Sequence, residues 1–293
     1  MTEPLTFAAT EQSPLSIRAS ALVFIDEQSR RVRDAVEALA QGPLPILITG
    51  ETGTGKELLA RHVHKQSGRC GLFVSVNCAA LSPRFAEAEL FGQANGERLN
   101  GASGRMGWLG SANGGTLYLD ELADLSLSLQ EKLLQVLQCA QVLRVGALKP
   151  TDVDVRLVAG SSVDLDRAVA AGRVDAKLYQ YLNQTQVQLP PLRERLADIV
   201  PMAEYFLGVY SQRFNVDLPE LSQAAQQLLE QYPWPGNTRE LENAIHVALL
   251  QASGGVLTEQ DLMLSDPMRF IKPLLARLSA GQRLELRDLL KQI

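Results

Sequence analysis

The chain has 293 residues, of which 46% are hydrophobic and 21% are charged, and its formal net charge is −5. This charge excludes a protein that coats nucleic acid with a uniformly basic surface, so any DNA contact would need a local basic patch. The sequence contains no run of 18 apolar residues and no signal peptide, and its three cysteines are too few for a disulfide framework. We therefore expect no membrane association and a cytoplasmic protein.

In the first two thirds of the chain, the apolar pattern predicts short strands that alternate with helices. After a loose leader, residues 1–20, a helix is predicted over 29–39. The predicted strands cover residues 46–49, 72–77, 116–119, 155–159 and 187–189. The predicted helices between them cover residues 57–66, 127–138 and 168–182. This alternation is typical of a parallel α/β sheet with helices on both faces.

The remainder of the chain favours helices. Pro190 and Pro191 end the strand pattern. The helices predicted after them cover residues 199–210, 222–231 and 238–251. We divide the chain into the leader (1–20), an α/β domain (21–190), a helical domain (191–265) and an amphipathic helical tail (266–293). Charges alternate at helical spacing in the tail, which is typical of a solvated helix face. The tail is also too short for a three-helix DNA-binding domain, so direct DNA binding is not expected.

A glycine-rich segment between the first predicted strand and the next helix has the pattern of a phosphate-binding loop. The segment consists of Gly50, Glu51, Thr52, Gly53, Thr54, Gly55, Lys56 and Glu57. Its backbone amides and the helix N-terminus would surround phosphate oxygens, and Lys56 would reach the β and γ phosphates. Glu57 replaces the usual hydroxyl ligand of magnesium, so the metal must rely on other groups.

Two carboxylates follow the third predicted strand. Asp120 and Glu121 come directly after the apolar residues of this strand. The carboxyl edge of a parallel sheet is where ligands bind, so both should lie near the phosphate-binding loop. Asp120 suits coordination of Mg²⁺, directly or through water, and Glu121 suits polarisation of an attacking water.

These segments together resemble the AAA+ domain of bacterial sigma-54-dependent transcription activators, over about residues 21–264. The resemblance extends to the strand that ends in Asn77, to segment 189–195 at the domain junction and to segment 232–237 in the lid. It implies an AAA+ P-loop NTPase fold, with a parallel sheet between helices and a small helical lid. It also implies that Asn77 holds the catalytic Glu121 and that Arg239 contacts the nucleotide. The implied cofactors are ATP and Mg²⁺, and the implied partners are a ring of identical or paralogous subunits and sigma-54 RNA polymerase.

The glycine-dense segment 92–115 departs from this family at its tip. The segment is interpreted either as a flexible surface loop or as an exposed functional loop, and its place between two core strands favours the functional loop at least equally. The family's loop has a Phe-Thr tip that engages the sigma factor. Here Arg98 and Leu99 take those places, or Leu99 and Asn100 if one residue is inserted. The aromatic contact is therefore lost.

A second departure affects the arginines that the family donates across the subunit interface to the γ-phosphate. Asp175 and Tyr181 stand at these two positions. Such an arginine is worth about 10³ to 10⁵ in rate, and an aspartate would repel the phosphate. Arg173 or Lys177 would take the place of a missing arginine if the register were shifted, but we favour the interpretation of both as exposed surface residues.

The residues that would act on nucleotide bound to the same subunit are retained, namely Lys56, Asn77, Asp120, Glu121 and Arg239. The residues that would act on a neighbouring subunit or on sigma-54 are altered. This pattern predicts an ATP-binding transcription regulator whose ATP hydrolysis is impaired or depends on a partner. One alternative is an active ATPase that remodels another target through the altered loop. Another is a nucleotide-gated scaffold or anti-activator that binds a paralogous activator. A further alternative is a shortened form of an ordinary activator.

Overall fold

The computed structural model describes residues 5–6, 21–94, 104–252 and 255–264. The helices are α1 (Glu27–Ala40), α2 (Lys56–Gln66), α3 (Ala86–Phe91), α4 (Gly107–Ser111), α5 (Leu127–Cys139), α6 (Leu165–Ala170), α7 (Ala176–Leu182), α8 (Ile199–Phe214), α9 (Gln223–Gln231) and α10 (Asn237–Gln251). The strands are β1 (Leu5–Thr6), β2 (Ala21–Leu22), β3 (Ile46–Thr49), β4 (Phe73–Asn77), β5 (Thr116–Asp120), β6 (Gln141–Val142), β7 (Thr151–Asp152), β8 (Arg156–Ser161), β9 (Gln186–Gln188), β10 (Glu220–Leu221) and β11 (Val256–Leu257).

Five of these strands form one parallel sheet with helices on both faces. Its strand order is β4-β5-β8-β3-β9. Side chains alternate across the sheet, because successive residues of a strand point to opposite faces. In β3, Ile46 and Ile48 pack with α1 and α2, whereas Leu47 belongs to the core on the opposite face. The α/β fold expected from the sequence is confirmed, and the carboxyl ends of the strands meet at one edge.

The predicted strands agree with the structure to within a few residues, but the single helix predicted over 168–182 is wrong. The structure has two helices there, α6 and α7, separated by Gly172. Gly172 adopts a φ of +67°, a left-handed conformation that ends a helix. Asp164 and Asp175 each accept a hydrogen bond from a backbone N–H in the first turn of the helix that follows. Each helix therefore has its own start.

The lid consists of α8, α9 and α10, packed around the fully buried Trp234. The indole Nε1 donates a 2.8 Å hydrogen bond to the carbonyl of Leu229, so the one polar atom of this side chain has a partner. Among the described residues, no helix is long and apolar enough to cross a membrane. The tail, residues 266–293, lies outside the described residues, and of the leader only Leu5–Thr6 is described, as a strand paired with β2.

The glycine-dense segment has a closed base. The N–H of Gln93 donates to the carbonyl of Arg105, and the N–H of Arg105 donates back to the carbonyl of Gln93. Gly92 and Gly107 pack backbone against backbone, since a Cβ added to Gly107 would lie 2.3 Å from the amide nitrogen of Gly92. The predicted tip, Arg98 to Asn100, lies outside the described residues.

Candidate nucleotide site

The phosphate-binding loop connects β3 to α2, as the sequence predicted, and its lysine is buried. Lys56 is 6% exposed. Its Nζ donates a 3.0 Å hydrogen bond to the carbonyl of Gly50 and lies 3.5 Å from Oε1 of Glu121. The ammonium group is therefore held inside the loop, where it would meet phosphate oxygens of a bound nucleotide.

The two carboxylates lie at the carboxyl edge of the sheet, next to the loop. Oδ1 of Asp120 accepts a 2.8 Å hydrogen bond from the hydroxyl of Tyr118. Glu121 has a left-handed backbone, with a φ of +52°. Its Oε2 accepts hydrogen bonds from the N–H of Ser162 at 3.0 Å and from the hydroxyl of Ser162 at 2.8 Å. Glu121 thus connects the loop lysine on one side to the end of β8 on the other.

Asn77 lies beside Asp120 in the register of β4 and β5. Its side-chain oxygen accepts a 2.9 Å hydrogen bond from the N–H of Ala79 and so caps the short turn after β4. The carboxylate of Glu121 is hydrogen-bonded to Ser162 rather than to Asn77. The hydrogen bonds between Ser162 and Glu121 were not predicted from the sequence. The role expected for Asn77 stays a prediction.

The start of the lid holds the phosphate-binding loop through the side chain of Glu51. Arg193 donates two hydrogen bonds to this carboxylate, at 2.6 and 2.9 Å. The amide nitrogen of Asn237, which is fully buried, donates to Oε2 of Glu51 at 3.1 Å and to the carbonyl of Thr52 at 3.1 Å. The hydrogen bonds from Arg193 and Asn237 lower the pKa of Glu51 to about 2. The carboxylate therefore stays ionised and keeps its lid partners at neutral pH.

Further contacts from the lid side reach the backbone of the same loop. Nη2 of the fully buried Arg195 donates to the carbonyl of Thr54 at 2.8 Å. The hydroxyl of Thr238, in the first turn of α10, donates to the carbonyl of Gly53. The loop and the lid thus form one hydrogen-bonded unit. Residue-type patterns along the sequence do not reveal these contacts, because the partners are more than 140 positions apart.

A cleft of about 290 Å³ brings together five of the residues predicted for the site, Thr52, Asn77, Asp120, Glu121 and Arg239. Arg173 also lines it. Arg239, in the first turn of α10, therefore faces the same space as the carboxylates. Glu57 is exposed instead and forms a 2.8 Å ion pair with Arg61 one helical turn later.

Gln130, which is fully buried, holds the segment in which the family has the arginines donated across the subunit interface. The amide of Gln130 donates to the carbonyl of Arg173 at 3.0 Å and accepts from the N–H of Asp175 at 2.8 Å. Asp175 in turn caps α7 by accepting a 2.7 Å bond from the N–H of Leu178. The carboxylate of Asp175, at the first of the two arginine positions, therefore caps α7. Arg173 is exposed, as predicted, and lines this chain's own cleft.

These residues fit a magnesium–nucleotide complex. Among the described residues, no group of three or more His, Cys, Asp or Glu side chains is arranged to hold a metal. Magnesium is commonly bound by one or two carboxylates together with the phosphates of a nucleotide, rather than by a protein cage. Asp120 at the cleft supplies such a carboxylate, and Lys56 and Arg239 supply positive charge for the phosphates.

Comparisons with known proteins agree with this geometry. The model of the sigma-54 interaction domain matches residues 22–188, and that of the AAA+ ATPase lid domain matches residues 193–266. The chain belongs to the sigma-54 interaction domain family. The family assignment made from the sequence is confirmed.

Relatives in this family include the sigma-54-dependent transcriptional activator SfnR of Pseudomonas putida. The identity is 46% over 263 residues, which cover 89% of this chain and 72% of SfnR. The response regulator FleR of Pseudomonas aeruginosa is 42% identical, over 84% of this chain and 52% of FleR. NtrX of Brucella abortus, solved in complex with ATP, is 34% identical with a TM-score of 0.75, over 82% of this chain and 54% of NtrX. The chain thus spans about half the length of FleR and NtrX.

Proposed function

We propose that this chain binds ATP with Mg²⁺ in the cleft at the sheet edge and regulates sigma-54-dependent transcription in the cytoplasm as part of an AAA+ ring. SfnR is a sigma-54-dependent transcriptional activator, and NtrX has been solved with ATP. The division into a nucleotide-binding domain (21–190), a lid (191–265) and a tail (266–293) is part of this proposal. The bounds of the two family matches support it.

We further propose that ATP hydrolysis in this cleft depends on a neighbouring subunit that supplies arginines. The observation that carries this proposal is Asp175, whose carboxylate caps α7 where the family is expected to have an arginine. Tyr181, at the second position, packs against the core of the domain. In contrast, the groups that serve nucleotide from the same chain, Lys56, Asp120 and Glu121, adjoin one cleft. The chain would therefore receive catalytic arginines but not donate them.

A mixing experiment tests this arrangement. We expect little ATP turnover by the chain alone. The partner is a family member that keeps both arginines but whose own loop lysine is changed to alanine, so that only clefts of the present chain can work. Turnover should appear on mixing and should disappear when Lys56→Ala is introduced into the present chain. Rapid turnover by the chain alone, or none in the mixture, would contradict the proposal.

A second variant places the arginines in this chain. The double change Asp175→Arg, Tyr181→Arg should restore turnover without a partner, because each subunit then donates to the next. The matched control is Lys177→Arg, since Lys177 is exposed on the same helix. No gain from the double change would contradict the assignment of the two positions.

An active ATPase that remodels another target is the second candidate, and Arg173 favours it. This arginine lines the cleft that holds Asp120 and Glu121 of its own chain, so its charge could serve the phosphates without a neighbour. Turnover by the chain alone that falls at least tenfold in Arg173→Gln, but not in Lys177→Gln, would support this candidate over partner dependence.

A further inference from the structure

The hydroxyl of Tyr118 lies beneath the metal-binding end of the cleft and has no role in the function proposed above. Tyr118 is fully buried in β5, on the face of the sheet that packs against α1 and α2. Tyr118 and Asp120 are two positions apart in this strand, so their side chains project from the same face. The hydroxyl donates to Oδ1 of Asp120 at 2.8 Å. A phenylalanine would fill the same core space without this bond.

The neighbouring strand leaves room for the hydroxyl at one position, Gly160 of β8. A Cβ added to Gly160 would lie 2.4 Å from the hydroxyl oxygen of Tyr118 and 2.7 Å from Oδ1 of Asp120. Both distances are far shorter than real contacts of a Cβ atom, and Gly160 lies in a central strand that cannot shift freely. A glycine in the interior of a strand is otherwise unfavourable, because it costs backbone entropy and packs no side chain.

Asp120 lines the cleft, and one of its two carboxylate oxygens, Oδ1, is already hydrogen-bonded to Tyr118. In the part of the chain that the structure describes, no group donates a hydrogen bond to Oδ2. A carboxylate fixed through one oxygen loses less freedom when the other oxygen binds a metal or a metal-bound water.

We propose that Tyr118 is a positioning residue for magnesium, which orients Asp120 through its hydroxyl, and that Gly160 is required because it leaves space for this hydroxyl. This inference rests on the proposed function, because it takes Asp120 as the carboxylate that meets the metal.

The experiment compares Tyr118→Phe, Gly160→Ala and the double variant by two measurements. The first is the magnesium concentration needed for half-maximal binding of a fluorescent ATP analogue. The second is the melting temperature without nucleotide. Loss of a group that orients a metal ligand typically weakens metal binding about 10- to 100-fold. We expect Tyr118→Phe to raise the magnesium requirement about tenfold. Binding of the analogue in the absence of magnesium should stay unchanged.

The double variant tests the role of Gly160. Gly160→Ala alone should lower the melting temperature, because the added methyl overlaps the hydroxyl. In the Tyr118→Phe background the same change should lower the melting temperature less, since the shortest overlap, with the hydroxyl, is gone and only the overlap with Oδ1 of Asp120 remains. The double variant should need at least as much magnesium as Tyr118→Phe. An equal loss of melting temperature in both backgrounds would overturn the role assigned to Gly160.

Tyr210→Phe is the matched control, since Tyr210 is a buried tyrosine of the lid that donates to the carboxylate of Glu242 at 2.7 Å. It should leave the magnesium requirement at the wild-type value. If wild-type binding needs magnesium and Tyr118→Phe binds like wild type, the inference is wrong while the proposed function stands. If nucleotide binding by the wild type is independent of magnesium, the proposed role of Asp120 fails and the inference fails with it.

Discussion

Replacement of Asn237 by alanine should weaken the attachment of the lid to the phosphate-binding loop. Asn237 begins α10 with a φ of +53° and is fully buried. Its side-chain oxygen accepts a 2.8 Å bond from the N–H of Leu192, and its side-chain nitrogen donates to Glu51 and to the carbonyl of Thr52. One amide group therefore joins the lid helix, the domain junction and the loop.

The expected cost follows from these partners. Alanine in a left-handed conformation is unfavourable by roughly 1 kcal/mol relative to asparagine. Asn237→Ala also leaves the buried N–H of Leu192 without its acceptor, which costs about 1–3 kcal/mol, and removes a bond to a charged carboxylate. We expect a loss of about 3 kcal/mol beyond the backbone effect. For a protein of this size, this corresponds to a fall in melting temperature of about 6 °C.

Asn215→Ala is the matched control. Asn215 ends α8, also with a φ of +53°, but it is exposed. Both variants carry the same backbone cost, so the difference between their melting temperatures isolates the hydrogen bonds of Asn237. Thermal unfolding followed by circular dichroism measures this difference, and ADP titration of both variants shows whether the loop still binds nucleotide. Equal melting temperatures for the two variants would refute the reasoning.

Three further predictions concern single side chains. Lys56→Ala should weaken ATP binding at least tenfold in a fluorescence titration, because charge-assisted hydrogen bonds to phosphate are lost. Lys65→Ala, at an exposed position of the same helix, should not weaken it, and equal losses of affinity would contradict the role of Lys56. Burial raises the pKa of the Cys78 thiol to about 12, so a thiol reagent at pH 8 should modify the exposed Cys70 and Cys139 of the native protein but not Cys78. Cys78 should react only after denaturation, and rapid reaction of all three cysteines would contradict its burial. Burial lowers the pKa of His62 below the ordinary histidine value of about 6.5, so the unfolded chain binds more protons and stability should fall as the pH drops below about 6.5. His62→Gln should reduce this slope in urea titrations, and an unchanged slope would exclude His62 as its source.

The sheet could be predicted from the sequence because its strands are short, apolar and separated by turns. The positions of segment 50–57 between β3 and α2 and of Asp120–Glu121 at the carboxyl end of β5 were also predictable, since both follow apolar strands. The break between α6 and α7 was not, although Gly172 and the capping residue Asp175 indicate it in retrospect. Apolar periodicity continued through these residues and outweighed the capping pattern.

The contacts that complete the site could not be predicted, because they join residues far apart in the chain. Ser162 lies 41 positions from Glu121, and Arg193 lies 142 positions from Glu51. Each of these residue types has many roles at a surface, so only the folded geometry distinguishes a partner from a solvated side chain. The same holds for Gly160, whose importance depends on a hydroxyl from another strand.

The backbone contact between Gly92 and Gly107 has a consequence for how this family can diversify. The described residues that flank segment 95–103 lie close together, because Gln93 and Arg105 are hydrogen-bonded to each other. Where the two ends of a segment are fixed in this way, a change in its length alters the closure entropy only slightly, about 0.6 kcal/mol for each doubling. Insertions and substitutions within segment 95–103 should therefore cost the nucleotide domain little stability.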